Sequence, residues 1–270
     1  MAAAEFSVAA EPRRLSEHSP HDTPWLDPPE PVETFAALSD HGILVCSSVI
    51  TTAALEHCLA VVIASLNAAL SLPLEQSAQL LGEIRAPLFR HDIKLEPHPD
   101  ILRVVAEVLK SPIGVALASA VGEDARLLEL SCIVSDSGAR AQPAHCDTPA
   151  HTSSEAASEV AASAEQPLLY TVFIPLQSTD LSMGPTVVFP GTHTPSFHAR
   201  FRAASSASAA HGPLLLHGRP SVALDLAAGA AVCMDSRTWH YGSVNAAGLK
   251  PQPSRAIAAL VRRCPSASLP

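Results

Sequence analysis

Two short stretches restrict most what this chain can become: Gln142-Pro-Ala-His145-Cys-Asp147 and, far downstream, Trp239-His240-Tyr-Gly242-Ser-Val-Asn245. Together they offer two imidazoles and one carboxylate. Such a set grips one face of an octahedral metal and leaves three positions open, as in non-haem iron(II) sites. In an extended strand, residues i and i+2 share a face, so His145 and Asp147 can reach one ion while Cys146 points the other way. A second histidine arriving from so far along the chain requires a fold that lays distant strands side by side.

The His-x-Asp pair is weak evidence alone. With 13 histidines and 26 acidic residues, roughly one such pair arises by chance, and structural context has to decide. A second copy, His98-Pro-Asp100, lies in Glu96-Pro-His-Pro-Asp-Ile101. Its Pro99 removes a ladder donor, so His98 and Asp100 read as the turn and cap of a helix.

Composition bounds the function. The net charge of −9, spread without long runs, argues against nucleic acid or an anionic membrane as partner. Six cysteines without a C-x-x-C pair suit neither a zinc ribbon nor a small disulfide scaffold, so a reducing, cytoplasmic setting is expected. The N-terminus shows no basic segment followed by an apolar one, so no signal peptide is expected. Leu55 to Leu72 approaches the length of a membrane span. It contains Glu56, His57, Ser65 and Asn67 and stops at Pro73, which favours a buried amphipathic helix.

Along the chain, residues 1–30 mix Pro, Ser, Glu and His without apolar period, the pattern of a disordered arm. The remainder, 31–265, reads as a single domain. Helices are expected near 33–38, from Thr51 or Thr52 to about 72, at 74–81 and at 100–110, with a short strand at 42–46 between the first two. From about 126 the period changes. Strands are expected at 127–134, 168–176, 186–189, 221–225, 231–234, 239–244 and 256–261, punctuated by Pro190-Gly191 and Ala227-Ala-Gly229. The Ala/Ser-rich 203–213 reads as a flexible excursion. Helices first (to about 125), then many short strands (to about 263), define an α+β chain whose second part is a jelly roll.

Three segments in this order resemble the phytanoyl-CoA dioxygenase group of iron(II)/2-oxoglutarate-dependent oxygenases. They are Gln142-Pro-Ala-His-Cys-Asp-Thr148, Met183-Gly-Pro-Thr-Val-Val-Phe-Pro-Gly-Thr-His193, and His240-x-Gly-x-x-Asn245 followed by Arg255. The opening Asp40-His-Gly-Ile-Leu-Val45 is similar to that family's start. The resemblance implies a double-stranded β-helix (jelly-roll, cupin-like) core with N-terminal helices packed on it. It also implies iron(II) on His145, Asp147 and His240, and 2-oxoglutarate as cosubstrate with its distal carboxylate on Arg255. A guanidinium suits that role, because it meets a carboxylate with two parallel hydrogen bonds. Strand phase groups Arg255 with Ile257 and Ala259, a face taken to point into the barrel.

Arg255 follows His240 at a longer interval than the family pattern, across Gly248-Leu-Lys-Pro-Gln-Pro253, and Ile257 stands where a hydroxyl is common. Thr186 or Tyr170 offers that hydroxyl. Gln142 resembles a cosubstrate-contacting glutamine, and a plain loop amide accounts for it equally well. His193 reads as structural, and Asn245 and Ser243 as groups that orient the ligands. Halogenating relatives carry a small residue at the carboxylate position, so a retained Asp147 implies hydroxylation or a related oxidation of a small organic substrate. Two rivals stand beside this reading: a cupin-type metalloenzyme that does not use 2-oxoglutarate, and a non-catalytic jelly-roll binding module. The loops at 148–166, 177–184 and 195–220 are expected to shape the substrate pocket.

Overall fold

Helix boundaries follow local chemistry. In the computed structural model, which describes residues 11–19, 23–28, 30–82, 87–122, 125–148, 150, 169–246 and 256–264, α1 (Pro31–His41) starts on a proline. It stops at Gly42, whose φ of 70° is a left-handed conformation that only glycine adopts without strain. The same glycine admits a close approach, since a Cβ there would stand 2.5 Å from both His193 Nδ1 and Thr238 Oγ1. β2 (Ile43–Cys46) follows, buried throughout. Then come α2 (Thr52–Ser71) and α3 (Leu74–Leu80), separated at Pro73.

β3 (Arg90–Lys94) precedes α4 (Pro99–Lys110) and α5 (Pro112–Val121), which bend by 77° at Ser111. As expected, His98 and Asp100 form a helix entry: His98 caps α4 and its side chain accepts from the Asp100 amide at 3.3 Å. α4 buries Ile101, Val104 and Val108, a stripe at helical spacing. Among the described residues α2 is long and apolar enough to cross a membrane. It buries Leu55, Cys58, Val62, Leu66 and Ala69 at intervals of three and four, a stripe turned to the core.

The strand half contains β4 (Arg126–Ser135), β5 (Tyr170–Pro175), β6 (Thr186–Val188), β7 (Val222–Ala223), β8 (Ala231–Asp235), β9 (His240–Gly242) and β10 (Ala256–Cys264). One sheet has the order β2-β8-β5-β10-β4-β3. The other has β7-β6-β9 with β1 (Arg13–Arg14) outside β7. In the large sheet, Val134, Cys132, Val172, Ile174 and Cys233 join the helices in the main core. The alternate residues Arg90, Ile133, Ser135, Phe173 and Pro175 face a cavity between the sheets, which Thr186, Leu224 and Gly242 close from the other side.

The chain is thus a mixed α and β protein with two sheets, and three sequence expectations require correction. Residues 11–28, read as a disordered arm, are packed where described: Arg13 and Arg14 pair with β7, and Leu15, Trp25 and Leu26 are buried. A prolines-and-polar composition hid a segment whose few apolar side chains all find the core. The excursion at 203–213 is mostly helical, in α6 (Pro195–Ala207) and α7 (His211–Leu214). β3 and α5 have no counterpart among the elements expected from the sequence.

Candidate metal centre

The two arms that carry the expected ligands meet through backbone. His145 and His240 stand directly opposite each other, exchanging both hydrogen bonds (His145 N to His240 O, 2.9 Å; His240 N to His145 O, 2.7 Å). Beyond them, the amides of Asp147 and Thr148 both donate to the Ser236 carbonyl, at 2.9 and 3.1 Å, and curl the first arm back over the second.

This backbone geometry converges three side chains. His145 Nε2 lies 3.9 Å and His240 Nε2 3.7 Å from Asp147 Oδ1. The ligand atoms of all three lie within 4.8 Å of one another. Each ring is oriented by its other nitrogen: His145 Nδ1 donates to the Pro143 carbonyl at 2.8 Å and His240 Nδ1 to the Thr238 carbonyl at 3.0 Å. Those bonds leave both Nε2 lone pairs for a metal, the arrangement that metal-binding histidines show. Phe173 packs beside His240, with ring centroids 6.4 Å apart.

Next to this set lies a cavity of about 80 Å³. Its walls are largely apolar (Ile133, Phe173, Pro175, Pro185, Leu224, Leu226) with one cation, Arg90, on β3. Arg90 is only 3% exposed. Its Nη1 donates to the Arg140 carbonyl at 2.9 Å and its Nη2 to the Ser243 carbonyl at 3.1 Å. Burial lowers its pKa, yet a guanidinium stays charged in proteins. No ion pair joins it to a carboxylate among the described residues. Arg90 thus brings a buried positive charge to the cavity wall.

The remaining candidates divide. Thr186 and Gln142 line the cavity. Gln142 Oε1 accepts from the Gly242 amide at 2.8 Å. Tyr170 does not reach it: on β5 it alternates with Thr171 and Phe173 and lies in the helix-side core, where burial, then the Asp235 charge, raises its pKa. The expectation of a hydroxyl from Tyr170 is corrected by that phase. Arg255 lies outside the described residues. The strand it precedes pairs Ala256 with Ser135, Ile257 with Val134 and Ala259 with Cys132.

Asn245 and Ser243 tie strands together. Asn245 Nδ2 donates to the Ser135 carbonyl and Ser243 Oγ to the Pro185 carbonyl, each at 2.8 Å. His193 is structural, with Nε2 donating to the Ser39 carbonyl at 2.9 Å. Of the loops expected to shape the pocket, 177–184 contributes Thr179 and Gly184. The loop at 148–166 lies outside the described residues except for Thr148 and Ala150.

Three side chains that could hold one metal ion, close to a cavity with a buried cation in its wall, suit a mononuclear metal enzyme. Residues 65–248, more than half of the chain, match the model of the phytanoyl-CoA dioxygenase (PhyH) family. The chain belongs to that family, and with it to the non-haem iron(II)- and 2-oxoglutarate-dependent oxygenases and related oxidising enzymes. No curated protein sequence matches it.

Among solved structures it is similar to SnoK, a non-heme alpha ketoglutarate dependent carbocyclase from nogalamycin biosynthesis. That likeness has 17% identity and a TM-score of 0.58, over 95% of this chain and 88% of that one. It is also similar to AviO1 from Streptomyces viridochromogenes Tue57 (16%, TM-score 0.57, 89% and 97% covered). A third is HygX from Streptomyces hygroscopicus, determined with nickel and 2-oxoglutarate bound (13%, TM-score 0.55, 87% of each chain). At such identities these likenesses speak for the fold.

Proposed function

We propose that His145 and His240, through Nε2, and Asp147, through its carboxylate, hold one iron(II) ion, and that 2-oxoglutarate occupies the adjacent cavity with its distal carboxylate towards Arg90. The observation that carries this reading is a two-histidine, one-carboxylate set close to a cavity whose wall holds a buried guanidinium. The two sheets are then the walls of a double-stranded β-helix, in one oxygenase domain over about 31–265. That HygX was determined with nickel and 2-oxoglutarate bound supports the pairing of metal and cosubstrate in this fold.

Bound iron, with 2-oxoglutarate and dioxygen as cosubstrates, supplies the oxidation of a small organic substrate with release of succinate and carbon dioxide. The chain's own residues supply everything else. The Pro143 and Thr238 carbonyls hold the imidazoles in their metal-binding tautomer. Phe173, Pro175 and Pro185 exclude water from the cavity, which strengthens the attraction between Arg90 and a carboxylate. Thr186 offers a hydroxyl to the same carboxylate and Gln142 flanks it. Arg255, just before β10, is the second cation proposed for it.

Anaerobic titration with Fe(II) and then 2-oxoglutarate, followed by the weak metal-to-ligand charge-transfer band, tests this. His145→Ala should lose most iron affinity, while His98→Ala serves as control and keeps it. A charge-assisted hydrogen bond contributes roughly 1.5–3 kcal/mol, so Arg90→Gln should weaken 2-oxoglutarate about 10- to 100-fold with little change in iron. Arg255→Ala in the same series apportions the carboxylate between the two arginines. Unchanged 2-oxoglutarate affinity in both variants would move its carboxylate to another cation, and no band in iron-bound wild-type protein would remove the cosubstrate assignment.

A further inference from the structure

Helix α6 touches both arms of the metal site without supplying a ligand. Its aromatic residues Phe197 and Phe201 pack with Trp239 and Tyr241 of the second arm, the Phe201 and Trp239 ring centroids 4.1 Å apart. Between those aromatics, His198 is 3% exposed and makes two hydrogen bonds that end on different arms. Its Nδ1 accepts from the amide of Ala150, shortly after Asp147, at 3.3 Å. Its Nε2 donates to the carbonyl of Arg237, in the turn before His240, at 2.8 Å. One helical turn further on, Arg202 donates to the Ala150 carbonyl. The N–H and the C=O of Ala150 are therefore both held by α6.

Only a neutral imidazole with its proton on Nε2 satisfies both contacts. A protonated ring would set an Nδ1–H against the Ala150 N–H. The surroundings keep it neutral. Burial is the largest influence, and Arg202 on the same helix and Arg237 on the turn also disfavour a positive ring. The Arg237 hydrogen bond and the Asp235 carboxylate oppose them, and the net direction is downward from an ordinary histidine. Asp235 is itself engaged by Arg237, whose Nε donates to Oδ1 at 2.8 Å.

We infer that His198 is a positioning residue for the metal centre, a two-ended tie that holds the Asp147 arm against the His240 arm through Ala150 and the Arg237 carbonyl. This rests on the metal assignment proposed above. Groups one step behind metal ligands typically change metal affinity about 10- to 100-fold when lost, because they hold ligand atoms in place.

His198→Gln and His198→Leu separate the tie from simple packing. The glutamine amide presents one acceptor and one donor at nearly the spacing of the two ring nitrogens, and it does not titrate. The expected result is Fe(II) affinity about 10-fold weaker in folded His198→Leu, and within about 2-fold of wild type in His198→Gln. A second readout uses the metal-free protein. Hydrogen exchange at the Ala150 amide, corrected for intrinsic rate, should lose protection in wild type as acid protonates His198 and should not in His198→Gln.

Wild-type iron affinity in a folded leucine variant overturns the tie and leaves the metal site standing. So does identical Ala150 protection in wild type and His198→Gln across pH, which decides the matter alone if the leucine variant does not fold. Failure of the wild type to bind iron counts instead against the metal assignment, and the Ala150 comparison still judges the tie.

Discussion

Arg90 and Gly242 show how a single missing side chain makes a site. A Cβ on Gly242 would stand 2.8 Å from Gln142 Oε1 and 3.2 Å from Arg90 Nη2, so the guanidinium and the amide can lie against β9 only because position 242 is bare. Gly242→Ala should push both groups towards the cavity and weaken 2-oxoglutarate about 10-fold, with Fe(II) affinity unchanged because no ligand moves. Loss of iron in that variant would mean instead that the whole second arm had shifted. The triad was legible in the sequence because its chemistry lives in a spacing, i and i+2 plus a distant histidine. Arg90 was not, because a lone arginine between Phe89 and His91 has no pattern, and only β3 pairing with β4 turns it inward. Tyr170 was misassigned by one strand residue, which in a β-strand is the difference between two faces.

At the scale of elements, the helices carry capping that sequence signals disclosed only in part. Thr51 stands at the N-cap of α2, but its side chain accepts no hydrogen bond from the helix. Its hydroxyl and amide donate instead to Glu107 of α4, at 3.0 and 2.7 Å, so a carboxylate from a neighbouring helix does the capping. These bonds, the amide first, lower the Glu107 pKa from its ordinary 4.5. The depressed value means the contribution is present above pH 4.5 and fades as pH falls through the lower, folded-state value. Glu107→Gln should cost about 1 kcal/mol at neutral pH by urea unfolding, and the difference from wild type should close on acidification. A difference independent of pH would discard the capping role.

α5 escaped notice for a related reason. A proline after a helical run suits a helix end, whereas Ser111 Oγ accepts from the Ile113 amide and Pro112 occupies the first position of a new helix. Gly114 then lets α5 turn close to α4, since a Cβ there would meet the Leu109 carbonyl oxygen at 2.1 Å. Gly114→Ala should destabilise the fold by about 1–3 kcal/mol despite alanine's better helix propensity, as a shift in urea midpoint. A gain in stability would show that the bend yields. α6 carried its signal in Thr194-Pro195, a cap followed by a proline, and Thr194 Oγ1 does accept from the Phe197 amide. The alanines and serines beyond it concealed a helix that packs only through Phe197, His198 and a few aromatics.

The molecule as a whole closes at its two sheet edges with one N-terminal segment. Arg13 and Arg14 add a parallel strand to β7, with the Arg13 amide donating to the Ser221 carbonyl at 3.1 Å. Further on, Leu26 bridges Val45 on β2, the outer strand of the large sheet, where the Val45 amide donates to the Trp25 carbonyl at 2.8 Å. Unpaired edges invite pairing with other chains, and this segment occupies one in each sheet. Trp25 is its anchor, buried in the main core with Leu15 and Leu26. Replacing a buried tryptophan by alanine costs about 3–5 kcal/mol, so Trp25→Ala should lower the urea midpoint by an amount near that value. A protein lacking residues 1–28 should lose more, because it also uncovers both edges, and it should self-associate where Trp25→Ala does not. Equal midpoints for wild type and both variants would show that the segment lies on the domain without stabilising it.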